Sequence, residues 1–455
     1  MSNVKYRRRS LYHLVIAATV IALVLTACSA PAAAPTTIST QPTAQPSALP
    51  ATPTAEPARP TEPVQQPTQV SASPTAEATT TPTAPAPVFV SVPSGKTMAS
   101  GYECPEPQPK VPVTSKTLNL FVWAEYVPQD IIDCFAQVYG IKVNRSEYSS
   151  NEETYAKLAQ GSSQFDIAQP SDYIIEVMIR TGLLQKLDKT QLPGLSNIDP
   201  LYAHVPGDPN GDFIVPYQAG TESIVYNSEV ITEPPTSWSD LWKPEFAGRM
   251  VFVDDMRYVI GFTLLNEGKD PNTTSPADLT AVKPRLQELL KGVKLFDSDS
   301  PKSALIAGDV DLGFVFNGEA FLAAKEDPKF KYVYPKEGTF VWQDGYGIVK
   351  DAPHADAAYA WLNYSLQPDV FWLTLRDFPY TNPNKAALEY AKNATFTVKD
   401  ADGNEVSPAE LYQAYMASNI TNPSPEVIQQ AHNIRDVGDA LPLYDKLWTQ
   451  VKSGH

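Results

Sequence analysis

From about Lys116 onward, segments with the pattern of β-strands alternate with segments that have the pattern of helices. Short apolar runs bounded by turn residues predict the strands, and longer periodic runs predict the helices. Chains that alternate in this way fold into open sheets with helices on both faces. Because about 340 residues are too many for one such sheet around a single core, we expect an α/β fold with two lobes.

The sequence predicts seven strands and five helices in this region. The predicted strands are LNLFVW, IKVNRSEY, FDIAQPS, FIVPY, RMVFVDD, VDLGFVFNG and WQDGYGIV. The predicted helices are NEETYAKLAQG with Ser150 as its N-cap, DYIIEVMIRTGLL, DLTAVKPRLQELLKG and ADAAYAWLNYSL, and Pro128 to Asp130 begin another.

Aromatic and acidic side chains recur directly after the predicted strands. They are Trp123, Glu125 and Tyr126, then Ser171 and Tyr173, Asp254, Asp255 and Arg257, and Phe316 and Asn317, while Trp342 and Asp344 lie in TFVWQDGYG. In open α/β sheets, ligands bind beyond the carboxyl ends of strands. Each residue alone has an ordinary explanation, because aromatic residues usually lie in cores and Asp often caps helices. Five repeats of the pattern favour a binding site.

The combination of residues suits an organic cation. Carboxylates form charge-assisted hydrogen bonds with ammonium groups. Aromatic faces hold cations and the methylene groups between them, and each cation–π contact contributes about 0.5–2 kcal/mol.

The sequence gives little support for catalysis. None of the five histidines lies near an acid or a Cys in the spacing of a metal site, and metalloprotease, zinc-finger and hydrolase motifs are missing from the chain. We therefore expect no enzyme, no cofactor and no metal ion. A pair of carboxylates that hydrolyses glycosides is the alternative.

The N-terminus predicts export. Four basic residues between positions 5 and 9 precede an apolar run, residues 14–25, which LTAC closes at Cys28. A run of twelve residues is too short to cross a bilayer, which takes about 20, so the segment 1–27 is typical of a signal peptide. Its end resembles the lipobox of bacterial lipoproteins, which implies a lipid on Cys28 that anchors the protein in the periplasm or at the cell surface. An ordinary signal with an incidental Cys is the alternative.

The segment after Cys28 is rich in Pro, Thr and Ala. Fifteen of the chain's 43 prolines lie between residues 29 and 100. Such a composition buries too little apolar surface to offset the entropy of ordering, so we expect residues 28–115 to form a disordered tether.

The net charge limits the kinds of partner that the chain can bind, and the cysteine content indicates a possible disulfide. Cleavage before Cys28 removes four basic residues and no acidic one, which takes the formal net charge from −16 to −20. This balance argues against nucleic acid as a partner. Cys104 and Cys134 remain, and in an oxidising compartment they form a candidate disulfide. Two unpaired thiols are the alternative.

Five long stretches of the chain match a family. FVWAEYVPQDIIDCFAQVYGIKV, QPSDYIIEVMIRTGLLQKLDKTQL, TSWSDLWKPEFAGRM, GDVDLGFVFNGEAF and YPKEGTFVWQDGYGIV resemble the spermidine/putrescine-binding proteins of bacterial ABC importers. The resemblance implies a hinged, type II-like periplasmic-binding-protein fold that closes on its ligand. We expect lobe 1 to contain residues 116–221 and 344–388, and lobe 2 to contain residues 222–343 and 389–455.

The resemblance also implies a ligand site. The matching positions are Trp123, Glu125, Tyr126, Ser171, Tyr173, Asp255, Trp342, Asp344 and Tyr380. The departures are Ala124 in place of Thr, Tyr258 in place of Glu, Phe316 in place of Trp and Ile434 in place of Gln. Glu222 and Glu319 are the acids that could replace the missing Glu, although we expect both to be solvated surface residues.

The function that follows is capture of a polyamine, such as putrescine or spermidine, by a monomeric lipoprotein that delivers it to a membrane permease. Because one of the family's acids is missing, we expect a preference for a diamine over the triamine spermidine. A receptor for another organic cation and a sensory or surface lipoprotein with the same fold are the alternatives.

Overall fold

A computed structural model describes residues 89–161 and 164–454 of the chain. The predicted signal peptide, the lipidation of Cys28 and the tether up to residue 88 therefore lie outside the described residues.

The strands alternate with helices from residue 117 onward. They are β1 (Pro93–Thr97), β2 (Glu103–Pro105), β3 (Thr117–Trp123), β4 (Lys142–Tyr148), β5 (Ile167–Ala168), β6 (Ile214–Asn227), β7 (Met250–Phe252), β8 (Val293–Phe296), β9 (Leu312–Phe316), β10 (Phe330–Val333), β11 (Phe340–Ile348), β12 (Val398–Lys399), β13 (Glu405–Val406) and β14 (His432–Asn433).

The α-helices are α1 (Gln129–Tyr139), α2 (Asn151–Gln160), α3 (Asp172–Arg180), α4 (Met256–Asn266), α5 (Pro276–Gly292), α6 (Pro301–Ile306), α7 (Asn317–Glu326), α8 (Ala355–Ser365), α9 (Pro368–Phe371), α10 (Leu373–Asp377), α11 (Lys385–Lys392), α12 (Pro408–Ala417), α13 (Pro425–Gln429) and α14 (Leu441–Lys452). Short 3-10 turns lie between residues 189 and 202, between 238 and 246, and at 438–440.

The described strands from β3 to β11, together with β14, form one mixed sheet. Its order is β4-β3-β5-β11-β6-β9-β7-β8, with β10 beside β6 and β14 beside β11. At one end β3 runs parallel to β4 and β5, and at the other β7 runs parallel to β8 and β9. The long strands β6 and β11 are antiparallel in the middle. The predicted α/β class is confirmed.

The long strand β6 connects the two ends of the sheet, and all fourteen of its residues are buried. In its middle, Thr221 pairs with Val341 and Ala219 pairs with Gln343. The predicted boundaries after residues 221 and 343 therefore lie side by side on neighbouring strands, where a sheet can bend.

The core forms on both faces of the sheet. In α1 the apolar residues Ile131, Ile132 and Phe135 are buried, and Ser150 caps α2 by accepting a hydrogen bond from the Glu153 amide, as predicted. Nine of the eleven residues of α4 are buried, so this helix has no polar face and its sequence does not show the helical period. Within the described part of the chain, no helix is long and apolar enough to cross a membrane.

The end of the predicted tether is folded. β1 and β2 pair as an antiparallel hairpin inside the predicted tether, residues 28–115. Cys104 on β2 forms a disulfide with Cys134 on α1, with 5.4 Å between their Cα atoms. The Tyr102 hydroxyl also donates a hydrogen bond to the Asp369 carbonyl at 2.5 Å. These contacts stabilise a segment whose composition alone predicts disorder.

Candidate functional site

A cavity lies beyond the carboxyl end of β3, against β11 and the first turn of α4. Its empty volume, including the part open to solvent, is about 520 Å³. The residues that line it are Trp123, Ala124, Glu125, Tyr126, Asn151, Ser171, Asp255, Tyr258, Ser298, Asp299, Phe316, Trp342, Asp344 and Tyr380.

Ten of the eleven predicted ligand residues line this cavity, and Tyr173 does not. The Tyr173 hydroxyl donates a hydrogen bond to Glu152 Oε1 at 3.0 Å. Its ring lies 5.7 Å from the guanidinium carbon of Arg257. Tyr173 therefore lies behind the wall of the cavity, where it contacts residues that surround Asp255.

Glu125 stands in the turn between β3 and α1. Its φ of +45° is in the left-handed region, which is uncommon for a residue with a side chain. Its neighbours Trp123 and Tyr126 both line the cavity. Backbone strain of this kind concentrates at functional sites, and here it accompanies three strand-end residues, Trp123, Glu125 and Tyr126, that line one space.

Asp344 is a buried acid in the wall of the cavity. It lies on β11, forms an antiparallel bridge with Ser171, and is 5% exposed. Burial raises the pKa of its carboxyl to about 7, although the Ser171 and Tyr126 hydroxyls beside it lower that pKa. The ionised carboxylate therefore lacks a positive partner that would hold its pKa at the ordinary value.

Asp255 is the second acid in the wall, and it is half-buried. It caps α4, and its Oδ1 accepts hydrogen bonds from the amides of Arg257 and Tyr258 at 2.9 and 3.3 Å. The loss of water around it, followed by the negative charge of Glu152, raises the pKa of its carboxyl to about 7. Asp255 therefore caps α4 with one carboxylate oxygen, Oδ1. The other oxygen, Oδ2, takes no part in these two bonds and leaves Asp255 able to act as a cavity residue as well.

Aromatic rings form the rest of the wall. Tyr380 lies 5.2 Å from Tyr126 and 5.4 Å from Trp342, and Trp342 lies 6.0 Å from Phe316. All of these pairs meet edge to face, which is a favourable arrangement. A Cβ on Gly220 would lie 2.4 Å from the Trp342 ring, so the close approach of this ring to β6 requires glycine there.

The departures from the family pattern lie in different places. Tyr258 and Phe316 both line the cavity, and the Tyr258 ring lies 5.4 Å from Phe340. Ile434 is buried in the core and is not a lining residue.

The expectation that Glu222 and Glu319 are solvated is wrong. Glu222 is 0% exposed on β6, opposite Phe316 and Phe340, and neither of its carboxylate oxygens has a hydrogen-bond partner among the described residues. Its burial, with Asp255 nearby, raises its pKa well above the ordinary value. Glu319 is 3% exposed because α7 carries it into the protein.

Glu319 has a partner of its own. Lys302 Nζ lies 3.0 Å from Glu319 Oε2 and 3.4 Å from Glu125 Oε2. Burial raises the pKa of Glu319 to about 6, and the Lys302 ammonium opposes this effect. One cavity acid, Glu125, therefore already contacts an ammonium group that belongs to the protein.

The sequence interpretation missed four residues of the site. Asn151, Ser298 and Asp299 line the cavity, and Asp172 lies buried beside it with a pKa raised well above the ordinary value by burial and by Asp344. Ser298 and Asp299 follow β8, so they repeat the strand-end pattern after a strand that was not predicted. Asp172 directly follows the predicted Ser171, and only the fold reveals its burial.

The lining predicts the charge of the ligand. It contains four carboxylates, and none of the described residues that line the cavity is Lys, Arg or His. Aromatic rings cover the surfaces between the acids. Within residues 89–161 and 164–454, no cluster of three or more His, Cys, Asp or Glu could hold a metal ion. The arrangement suits an elongated organic cation with apolar segments.

The model of the family described as bacterial extracellular solute-binding protein matches residues 130–400.

Comparison with individual proteins gives relatives over the same region. A protein of Salmonella typhimurium named spermidine/putrescine-binding periplasmic protein is 35% identical over 340 residues, which are 74% of this chain and 92% of the relative. The spermidine/putrescine ABC transporter substrate-binding protein of Streptococcus pneumoniae has a solved structure with a TM-score of 0.59 and 29% identity, covering 74% of this chain and 99% of that one. The TpPotD lipoprotein of Treponema pallidum gives a TM-score of 0.61 at 26% identity, covering 74% and 99%.

Proposed function

Because this chain belongs to the bacterial extracellular solute-binding proteins, we propose that it is the receptor subunit of an ABC importer and that its ligand is a polyamine. The receptor binds the amine in the cavity between its two lobes and delivers it to a permease in the membrane. Because no bond of the ligand changes, the work of this subunit is preferential binding of the ligand by its closed state.

The observation that carries the proposal is the composition of the cavity, with four carboxylates, aromatic walls and no basic lining residue among those described. A buried cation needs a charged partner, and the cavity offers several. The names of the relatives agree with this chemistry, since two of them carry the words spermidine and putrescine.

Asp344 and Asp255 hold the ammonium groups in this proposal. Asp344 is buried, and burial raises the pKa of both carboxyls to about 7, so the empty site keeps each carboxyl partly protonated near neutral pH. An ammonium group drives each one to its ionised form. The rings of Tyr126, Trp342 and Tyr380 then pack against the alkyl chain.

The ligand preference follows from the residue at position 258. Tyr258 lines the cavity with an aromatic ring and one hydroxyl where the family has a carboxylate. A third ammonium group would lack one acid, and an unpaired buried charge is costly. We expect a putrescine-like diamine to bind more tightly than spermidine. The relatives' names include both amines and do not favour either.

Closure of the cleft involves β6 and β11. The proposed crossings between lobes 116–221 and 222–343, and between 222–343 and 344–388, fall where these two strands pair. A small change in the twist of two adjacent strands would change the distance between the ends of the sheet. The segment 389–455 completes lobe 2 in this proposal.

Export and anchoring complete the proposal. A signal peptide, residues 1–27, and a lipid on Cys28 would hold a monomeric receptor at the membrane, with the Pro-rich segment as its tether. One relative with a solved structure is named as a lipoprotein. Mass spectrometry of the protein from a membrane fraction would detect the lipid as added mass on the peptide that begins at Cys28.

A calorimetric screen of putrescine, cadaverine, spermidine and spermine tests the proposal. We expect the diamines to bind in the micromolar range or tighter, and spermidine to bind more weakly. Agmatine and choline serve as other organic cations. If the four polyamines fail to bind while another cation binds, the family assignment stands and the ligand class is wrong.

A further inference from the structure

Lys302 lies at the mouth of the cavity, beside one of its acids. It is in the first turn of α6, and its ammonium group contacts Glu319 at 3.0 Å, Glu125 at 3.4 Å and the Ser300 hydroxyl at 2.9 Å. Lys302 also lines the neighbouring outer groove, which shares Glu125 and Asp299 with the cavity. The ammonium thus occupies the boundary between the two spaces.

The two acids of this cluster differ in exposure. The Glu319 side chain is 3% exposed, whereas the Glu125 side chain is 52% exposed. An ionised carboxylate that is buried without a charged partner destabilises the folded protein. The contact with Glu319 therefore fixes the position of the Lys302 ammonium group. Glu125 is solvated enough to exchange its partner.

The position of the ammonium group has a consequence for ligands. An extended amine that fills the cavity from Asp344 toward Glu125 would bring its terminal ammonium close to Lys302. Like charges placed side by side in a binding site oppose association. A shorter diamine held by Asp344 and Asp255 would avoid this contact.

We propose that Lys302 sets the length of the ligand, because its ammonium group occupies the place at Glu125 that a further amine of a longer ligand would take. The inference rests on the proposed polyamine-binding function and assigns a specificity residue to it. It differs from the effect of Tyr258, which removes an acid, because Lys302 adds a positive charge.

The variant Lys302→Met tests this inference by calorimetric titration with putrescine and spermidine. We expect the affinity for spermidine, relative to putrescine, to rise at least about fivefold, because the variant frees Glu125 and removes the repulsion. Lys325→Met is the matched control, since Lys325 is an exposed lysine of the same outer groove on α7. This control should leave the ratio unchanged.

A second variant keeps the test valid if Lys302→Met fails to fold. Lys302→Met leaves Glu319 buried without its cation, so Lys302→Met combined with Glu319→Gln removes the whole pair and keeps Glu125 free. The same rise in the spermidine ratio is expected. If the wild type binds putrescine but the ratio moves in neither variant, or moves equally in the Lys325 control, the inference about Lys302 is overturned. If the wild type binds neither amine, the proposed function itself fails.

Discussion

Two sets of acids, one in the wall of the cavity and one at its mouth, differ in how their charge is balanced. In the wall, Asp255 and Asp344 contact neutral hydrogen-bond donors, and the loss of water around both carboxyls raises the pKa of each to about 7. At the mouth, Glu125 and Glu319 share the ammonium group of Lys302. Among the described residues, no cation of the protein acts on Asp344, and the positive charge of Arg257 only partly opposes the rise in the pKa of Asp255, whereas the mouth acids contact an ammonium group directly. We therefore expect a cationic ligand to gain most of its binding free energy at the wall acids. There an ammonium group has only a proton to displace, whereas at the mouth it competes with the Lys302 ammonium group.

Loss of a wall acid should have the largest effect. Asp344→Asn removes one partner of a desolvated charge pair, which costs on the order of 2–5 kcal/mol, so putrescine affinity should fall at least tenfold. Glu125→Gln, the matched change at the mouth, should reduce it less, because Glu125 is exposed and already paired. Titration calorimetry of both variants measures the contrast. Equal losses of putrescine affinity in the two variants would contradict the distinction between the wall acids and the mouth acids.

Addition of an acid to the wall should alter the ligand preference. Tyr258→Glu places a carboxylate where the cavity now has a ring, and we expect spermidine to gain several-fold relative to putrescine. Tyr258→Phe is the control, since it removes only the hydroxyl. Competition binding with both amines gives the ratio. A ratio that stays at the wild-type value in Tyr258→Glu would contradict the account of selectivity.

The ligand-free protein should show a smaller effect on stability. The folded-state pKa of Asp344 is raised to about 7, so its contribution to stability is present below its unfolded pKa and is lost as pH rises through 7. Asp344→Asn should therefore raise the Tm of the ligand-free protein by a few degrees at pH 8 and change it little at pH 4. Glu125→Gln should not stabilise the protein at pH 8. Thermal denaturation at both pH values measures these changes. A lower Tm for Asp344→Asn than for the wild type at pH 8 would contradict the prediction.

The smallest expected effect concerns the packing of the wall. Gly220→Ala would place a Cβ 2.4 Å from the Trp342 ring, so the ring must move. We expect a lower Tm and a modest loss of affinity for every amine, without a change in their ratio. A change in the ratio would mean that the rings, and not the charges, discriminate between amines.

Much of the wall could be predicted from the sequence. Trp123 and Asp255 each end a predicted strand, Asp344 lies near the start of another, and strand ends of an open sheet converge. The sequence therefore indicates both the residues and the common space. The same reasoning missed Asp299, because the strand β8 has only four residues and directly follows α5.

The mouth could not be predicted in this way. Whether a Glu is buried depends on what packs over it, and neither Glu222 in β6 nor Glu319 in α7 has a local pattern that reveals burial. The contact of Lys302 with Glu125 joins residues 177 positions apart, so only the tertiary fold brings them together. The hairpin at residues 93–105 was missed for a related reason, since its contacts with α1 and with Asp369 offset the disorder that its composition predicts.

The number of protons released on binding tests the central claim most directly. At pH 7 two carboxyls with a pKa of about 7 hold about one proton between them, and alkyl ammonium groups remain charged below about pH 10. Calorimetric titration of putrescine in two buffers with different ionisation enthalpies should therefore show release of about one proton at pH 7, falling toward zero at pH 9. Asp344→Asn should release roughly half as much. Binding with no proton release at pH 7 would mean that the wall acids are already ionised in the empty cavity, and the contrast between wall and mouth would be wrong.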